Sequence, residues 1–135
     1  MAGQVFHNCT ITWNGSNTLT GQTNRVEITR ERSTVSWENF GDDKLNKDQG
    51  ARNETIRLSM VYTQGAAEAY KALNTSFEGT NGGTAGTLVV TPVASGSIFT
   101  AVGKVASLTA AIPKGEVGTL EAVIEPTAGI TWTAS

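Results

Sequence analysis

In Thr55-Ile56-Arg57-Leu58-Ser59-Met60-Val61-Tyr62, the side chains of Ile56, Leu58, Met60 and Tyr62 fall on one side of an extended chain, with Arg57 and Ser59 on the other. That period of two marks a half-buried β-strand, because successive strand side chains point to opposite faces. The same reading extends outward in both directions. Arg25-Val26-Glu27-Ile28-Thr29 alternates polar and apolar residues. Val5 to Trp13 is rich in β-branched and aromatic residues, and Asn14-Gly15 closes it with a tight-turn signal. Downstream, Thr87 to Val93 is a short apolar strand that Pro92 confines to an edge or an end. Ser97 to Ile112 is a long strand, turned by Pro113-Lys114-Gly115 into a strand from Val117 to Glu125. A turn at 127–129 and a last short pairing over Ile130 to Thr133 complete the pattern.

One segment has a different period. Ala66, Ala69, Tyr70, Leu73 and Phe77 recur at helical spacing, and the spacing predicts a helix near 65–74 with Asn74 as its left-handed stop. Strands on both sides of one short helix imply a mainly β domain over residues 1–135, a β-sandwich or partial barrel with a flanking helix. Two stretches show neither period. Glu78 to Gly86 reads as a flexible glycine-rich loop. Residues 31–54 read as a long loop, and long loops in compact domains are usually functional. Trp37 and Phe40 stand there among charges, which suggests a segment that docks something.

Composition removes several functions. Area scaling lets a 14.2 kDa chain bury about two-thirds of its unfolded surface, enough for a core without disulfides. Cys9 is the only cysteine and His7 the only histidine, so an intrachain disulfide and a Cys/His zinc site are excluded. A Ser-His-Asp triad would rest on His7 alone, which argues against an enzyme of that kind. No apolar run approaches the ~20 residues of a membrane span, and residues 1–20 lack the pattern of a secretory leader. A protein of a reducing compartment, without membrane or cofactor, is expected.

Charge is unevenly spread. Residues 25–57 hold seven basic and seven acidic side chains, and the other 102 residues carry only eight charges. Twenty threonines and fifteen glycines take their place. Hydroxyl surface is far cheaper to dry than charged surface, so such a coat suits burial against other protein. The glycine run at 79–86 is neither a dinucleotide fingerprint nor a phosphate loop. Asp42, Asp43 and Asp48 lack calcium-loop spacing and have Lys44 and Lys47 among them, so a solvated, salt-bridged loop is the better reading. Four Asn-x-Ser/Thr triplets, at Asn8, Asn14, Asn53 and Asn74, stand where about two would occur by chance, and without a leader pattern glycosylation is not expected. Ten scattered basic residues argue against a sequence reader of nucleic acid. A neutral-to-acidic wall would nevertheless let a duplex slide, because phosphate contacts are what hold it.

Across the C-terminal half, a strand leads to Ala67-Glu68-Ala69-Tyr70-Lys71-Ala72-Leu73, then to the glycine-rich loop and a long strand. Ile112-Pro113-Lys114-Gly115-Glu116 follows, and the chain closes on Glu125-Pro126-Thr127-Ala128-Gly129-Ile130-Thr131-Trp132. This order resembles the ending of major tail tube proteins of long-tailed bacteriophages, over roughly residues 55–133. The resemblance implies a structural, self-assembling virion protein of the viral tail, made in the host cytoplasm. It implies six copies per ring and rings stacked into a tube, with four strands per subunit continuing into a 24-stranded barrel. DNA would pass through the lumen without specific binding during viral genome ejection. Tape measure, tail tip and tail terminator proteins would be partners. The loop at 31–54 would reach a neighbouring subunit or the next ring, with Trp37 and Phe40 as anchors and Asp42, Asp43, Lys44 and Lys47 setting register.

Two other classes fit the composition. A capsid decoration or stabilising protein would share the low charge but form trimers on a shell. A monomeric β-sandwich binding module would expose aromatics at a ligand site. Particle size separates the three: rings or tubes, trimers, or a monomer.

Overall fold

The computed structural model describes residues 6, 9–15, 17–21, 23–62, 69–80, 82–93 and 96–134. Its strands are β1 (Thr10–Trp13), β2 (Asn17–Thr18), β3 (Thr23–Trp37), β4 (Asn46–Val61), β5 (Gly86–Thr91), β6 (Ile98–Ala111) and β7 (Thr119–Thr133). One helix, α1 (Ala69–Phe77), lies between β4 and β5. The strands form one antiparallel sheet in the order β2-β1-β5-β6-β7-β4-β3.

That order forces a shape. β2 and β3 occupy opposite edges, yet only residues 19–22 connect them. Six interstrand spacings of a flat sheet span about 29 Å, whereas five residue steps reach at most about 18 Å. The sheet therefore curls until its edges approach, as a partial barrel does. The Thr23 N–H donating to the Leu19 carbonyl at 3.1 Å fixes the connection. Inside the curl sit Ile11 and Trp13 from β1, Leu88 and Val90 from β5, Ile56, Leu58 and Met60 from β4, and Leu120, Ala122 and Ile124 from β7. The strand alternation anticipated for residues 56–60 thus faces the core as expected.

The helix covers its open side. Leu73 is fully buried, and Tyr70 meets Tyr62 edge to face at 5.5 Å. The indole N–H of Trp13 donates to Ser76 Oγ at 3.1 Å, so the buried Trp satisfies its one donor on the helix. The expected start at 65–68 lies outside the described residues, and the helix ends three residues later than the expected stop at Asn74. Asn74 stays helical because its carbonyl accepts from Glu78 N–H, while Gly79 and Thr84 N–H groups close the end on the Ser76 carbonyl.

Two further expectations are corrected. Residues 31–54 are not a long loop: β3 and β4 pair from Thr23↔Met60 to Trp37↔Asn46, leaving only 38–45 as the connection. A two-stranded ribbon wet on both faces satisfies its backbone across the pair and needs no alternation of polarity, so the period-2 signal is absent. Residues 127–129 are not a chain reversal either. β7 runs on through them, and the β6 register shifts between Ala101↔Ile130 and Gly103↔Pro126. Gly129, with φ of 88°, absorbs the extra residues as a bulge. At Gly103 any side chain would collide with β7, since a Cβ there would lie 2.6 Å from the Glu125 carbonyl oxygen.

Candidate functional site

Among the described residues, β4 pairs with β7 only from Ile56↔Ile124 to Val61↔Thr119. Residues 46–55 therefore leave the sheet paired to β3 alone, and ten residues of ribbon extend about 34 Å. This arm carries the charged segment of the sequence.

The tip gathers Trp37, Phe40, Asp42, Asp43, Lys44 and Lys47, all exposed. Phe40 is fully in solvent at 108% relative exposure, with Val35, Trp37 and Leu45 about half exposed nearby. Such a concentration of bare apolar side chains is what protein-contact surfaces present. Asp42 has an internal task. Its Oδ2 accepts from the Asn39 N–H at 2.8 Å and from Asn46 Nδ2 at 2.7 Å, which closes the tip with Gly41 at φ 88°. Asp43, Lys44 and Lys47 make no ion pair among the described residues.

At the base of the arm lies a group the sequence reading missed. Glu54 is buried, its side chain only 2% exposed. Arg30 Nε donates to Glu54 Oε2 at 2.7 Å, and Arg52 forms an ion pair with Oε1. Both guanidinium groups also donate to the Ile130 carbonyl, at 3.3 Å and 2.9 Å. Burial alone would push the Glu54 carboxyl up. The Arg30 hydrogen bond, the Ile130 N–H and the charges of Arg52 and Arg30 outweigh it and hold the carboxyl below its ordinary value. The cluster ties β3 and β4 to β7 where the ribbon departs. Arg30↔Glu54 is a cross-strand pair, visible only once the hairpin is recognised.

Below the arm, β6, β7, β4 and β3 form a four-stranded sheet with one face on the core. Its other face carries Ser107 and Thr109 from β6, Thr119, Glu121 and Val123 from β7, Thr55, Arg57 and Ser59 from β4, and Arg25, Glu27 and Thr29 from β3. Both outer edges lack a partner strand among the described residues. β3 pairs only with β4, and β6 beyond Gly103 pairs only with β7. Unpaired edges are templates for another chain.

A cavity of about 570 Å³ between β3 and the β1–β5 side is lined by Cys9, Val26, Ile28, Val90 and Phe99. Burial pushes the Cys9 thiol up, which makes it a poor nucleophile. Among the described residues, no group of three or more His, Cys, Asp or Glu side chains is placed to hold a metal, and no helix is long and apolar enough to cross a membrane.

No family model and no curated protein sequence matches the chain. Solved structures do. A chain in the virion of a native gene transfer agent particle superposes with a TM-score of 0.75 at 14% identity, covering 98% of this chain and 100% of that one. A chain in the C6-symmetric tail of an empty gene transfer agent particle gives 0.70 at 16% identity, covering 93% and 94%. A chain in the sheath/tube terminator of an extracellular contractile injection system gives 0.77 at 12% identity, covering 99% of each. Over nearly its whole length, the fold of this chain is thus shared with chains of gene transfer agent particles and of a contractile injection system's sheath/tube terminator.

Proposed function

We propose that this chain is the structural subunit of a phage-like tail tube, forming hexameric rings that stack head to tail around a lumen that passes DNA. The observation that carries this reading is a four-stranded sheet with an unpaired edge on each side, β3 and the far half of β6. Two different edges make a heterologous contact, which closes into a ring when the rotation allows. The sixfold symmetry of the gene transfer agent tail supports six copies. Six such sheets give 24 strands, a barrel about 45–50 Å across at the backbone. The outward face of β6-β7-β4-β3 would then line the bore.

The arm would serve the second direction of growth. Trp37 and Phe40 would anchor it on a neighbouring subunit, with Asp43, Lys44 and Lys47 at the rim and Asp42 shaping the tip. Tape measure, tip and terminator proteins would be its partners at the ends of the tube. Negative-stain electron microscopy of concentrated protein tests the proposal. Sixfold rings or tubes are expected. Trimers would favour a capsid decoration protein, a persistent monomer of 14.2 kDa a binding module, and either result overturns this reading.

A further inference from the structure

The outward face of the four-stranded sheet is built from threonine, serine and valine, interrupted by a small set of charges. Arg25 and Glu27 of β3 lie on it with Arg57 of β4 and Glu121 of β7. Arg25 Nη2 meets Glu27 Oε2 at 3.2 Å, and Arg57 Nη1 meets Glu121 Oε1 at 3.2 Å. The second pair bridges two strands, since Glu121 stands opposite Ser59 in the ladder, two residues from Arg57. Arg25 and Arg57 thus each have a carboxylate in contact.

Stability does not account for the arrangement. All four side chains of the two ion pairs are about half exposed or more, and exposed pairs of this kind contribute about 0–1 kcal/mol. Their effect on the surface potential is larger. An arginine fork is well matched to a phosphate, and a free one repeated around a ring would grip a duplex. Protein–DNA affinity at low salt comes from such phosphate contacts and the counterions they release.

We propose that Glu27 and Glu121 mask Arg25 and Arg57, so that a DNA backbone moving along this face finds neither arginine free to bind. The proposal rests on the reading of this face as the bore of the tube. Masking by a neighbour in the same chain keeps the arginine stems as cover for the sheet while cancelling their charge. It also works identically in every copy, so no ring of the tube becomes a sticking point.

The test compares the wild type, Glu27→Gln/Glu121→Gln, and the same double variant with Arg25→Gln/Arg57→Gln added. A fluorescent duplex of about 30 base pairs is the probe, and anisotropy is read from low to physiological salt. The carboxylate double variant should bind at least tenfold more tightly than wild type at low salt. Two released phosphate contacts should make that binding fall by about tenfold between 50 and 200 mM salt. The fourfold variant should return to wild-type behaviour. Equal binding by the wild type and the double variant overturns masking, as does a gain that survives loss of the arginines. Glu121→Gln alone, which unmasks only Arg57, should give a smaller gain and serves if the double variant folds poorly. Microscopy of the wild type decides the bore separately: hollow rings with unchanged DNA binding refute masking only, whereas absence of rings refutes the bore and leaves the anisotropy result to decide masking.

Discussion

The β3–β4 hairpin is one ribbon with two environments. Over Val26↔Leu58 and Ile28↔Ile56 it has β7 beside it and the core beneath it, and Ile56 and Leu58 are at most 1% exposed. Over Thr34↔Gln49 to Trp37↔Asn46 it has the same antiparallel ladder but no third strand and no core. Backbone pairing is therefore common to both, and burial belongs to one. Two paired strands without a packed face are marginal in water, so the arm depends on its root. The root is where Glu54 sits.

The sharpest way to break the comparison is in the body. Leu58→Ala should cost about 2–5 kcal/mol in denaturant unfolding, because the site is fully buried and collapses poorly. Val35→Ala, on the same β-strand ladder but half exposed, should cost under about 0.5 kcal/mol. Similar costs for the two would mean that the arm is packed in the free subunit.

The root should fall between them. Glu54→Gln should cost about 1–2 kcal/mol, less than a fully buried pair because Arg30 and Arg52 keep substantial contact with water. Acid provides an independent check. The folded Glu54 carboxyl lies below its ordinary value, so the unfolded chain takes up the proton first as pH falls. Its stabilising contribution is complete above the ordinary carboxylate range, about pH 4.3, and disappears as pH drops through the lower folded value. The stability gap between wild type and Glu54→Gln should accordingly narrow below about pH 4. A gap constant from pH 7 to pH 3 would mean that the carboxylate charge does not hold the arm's root.

The tip should show the smallest effect on the monomer. Trp37→Ala with Phe40→Ala should leave the melting temperature within about 2 °C, since Phe40 touches water on all sides and Trp37 is nearly half exposed. Tube yield on the same preparations should collapse, as each aromatic anchor at an interface typically carries ~2 kcal/mol or more. A melting drop of several degrees would place these rings against their own subunit. Hydrogen exchange gives the finer measurement: amides of 30–37 and 46–54 should exchange much faster than those of 56–61 in the subunit, and gain protection on assembly.

By itself, the sequence determined the class of the fold. Period-2 alternation at Arg25–Thr29 and Ile56–Tyr62 survives because one face of each segment packs on the core, fully at Ile56, Leu58 and Met60 and partly at Val26 and Ile28, while the other is wet. The helix was legible from the spacing of Tyr70 and Leu73, and the concentration of charge in 31–54 set that segment apart. Tertiary structure alone decided that this segment is a ribbon, because a ladder wet on both faces leaves no hydrophobic pattern to read. It also decided the curl, which follows from a four-residue link between opposite sheet edges, and the pairing of Glu54 with Arg30 and Arg52 around a carbonyl distant in sequence. Those features depend on which strands become neighbours, and neighbours are chosen by the whole core rather than by any local stretch of the chain.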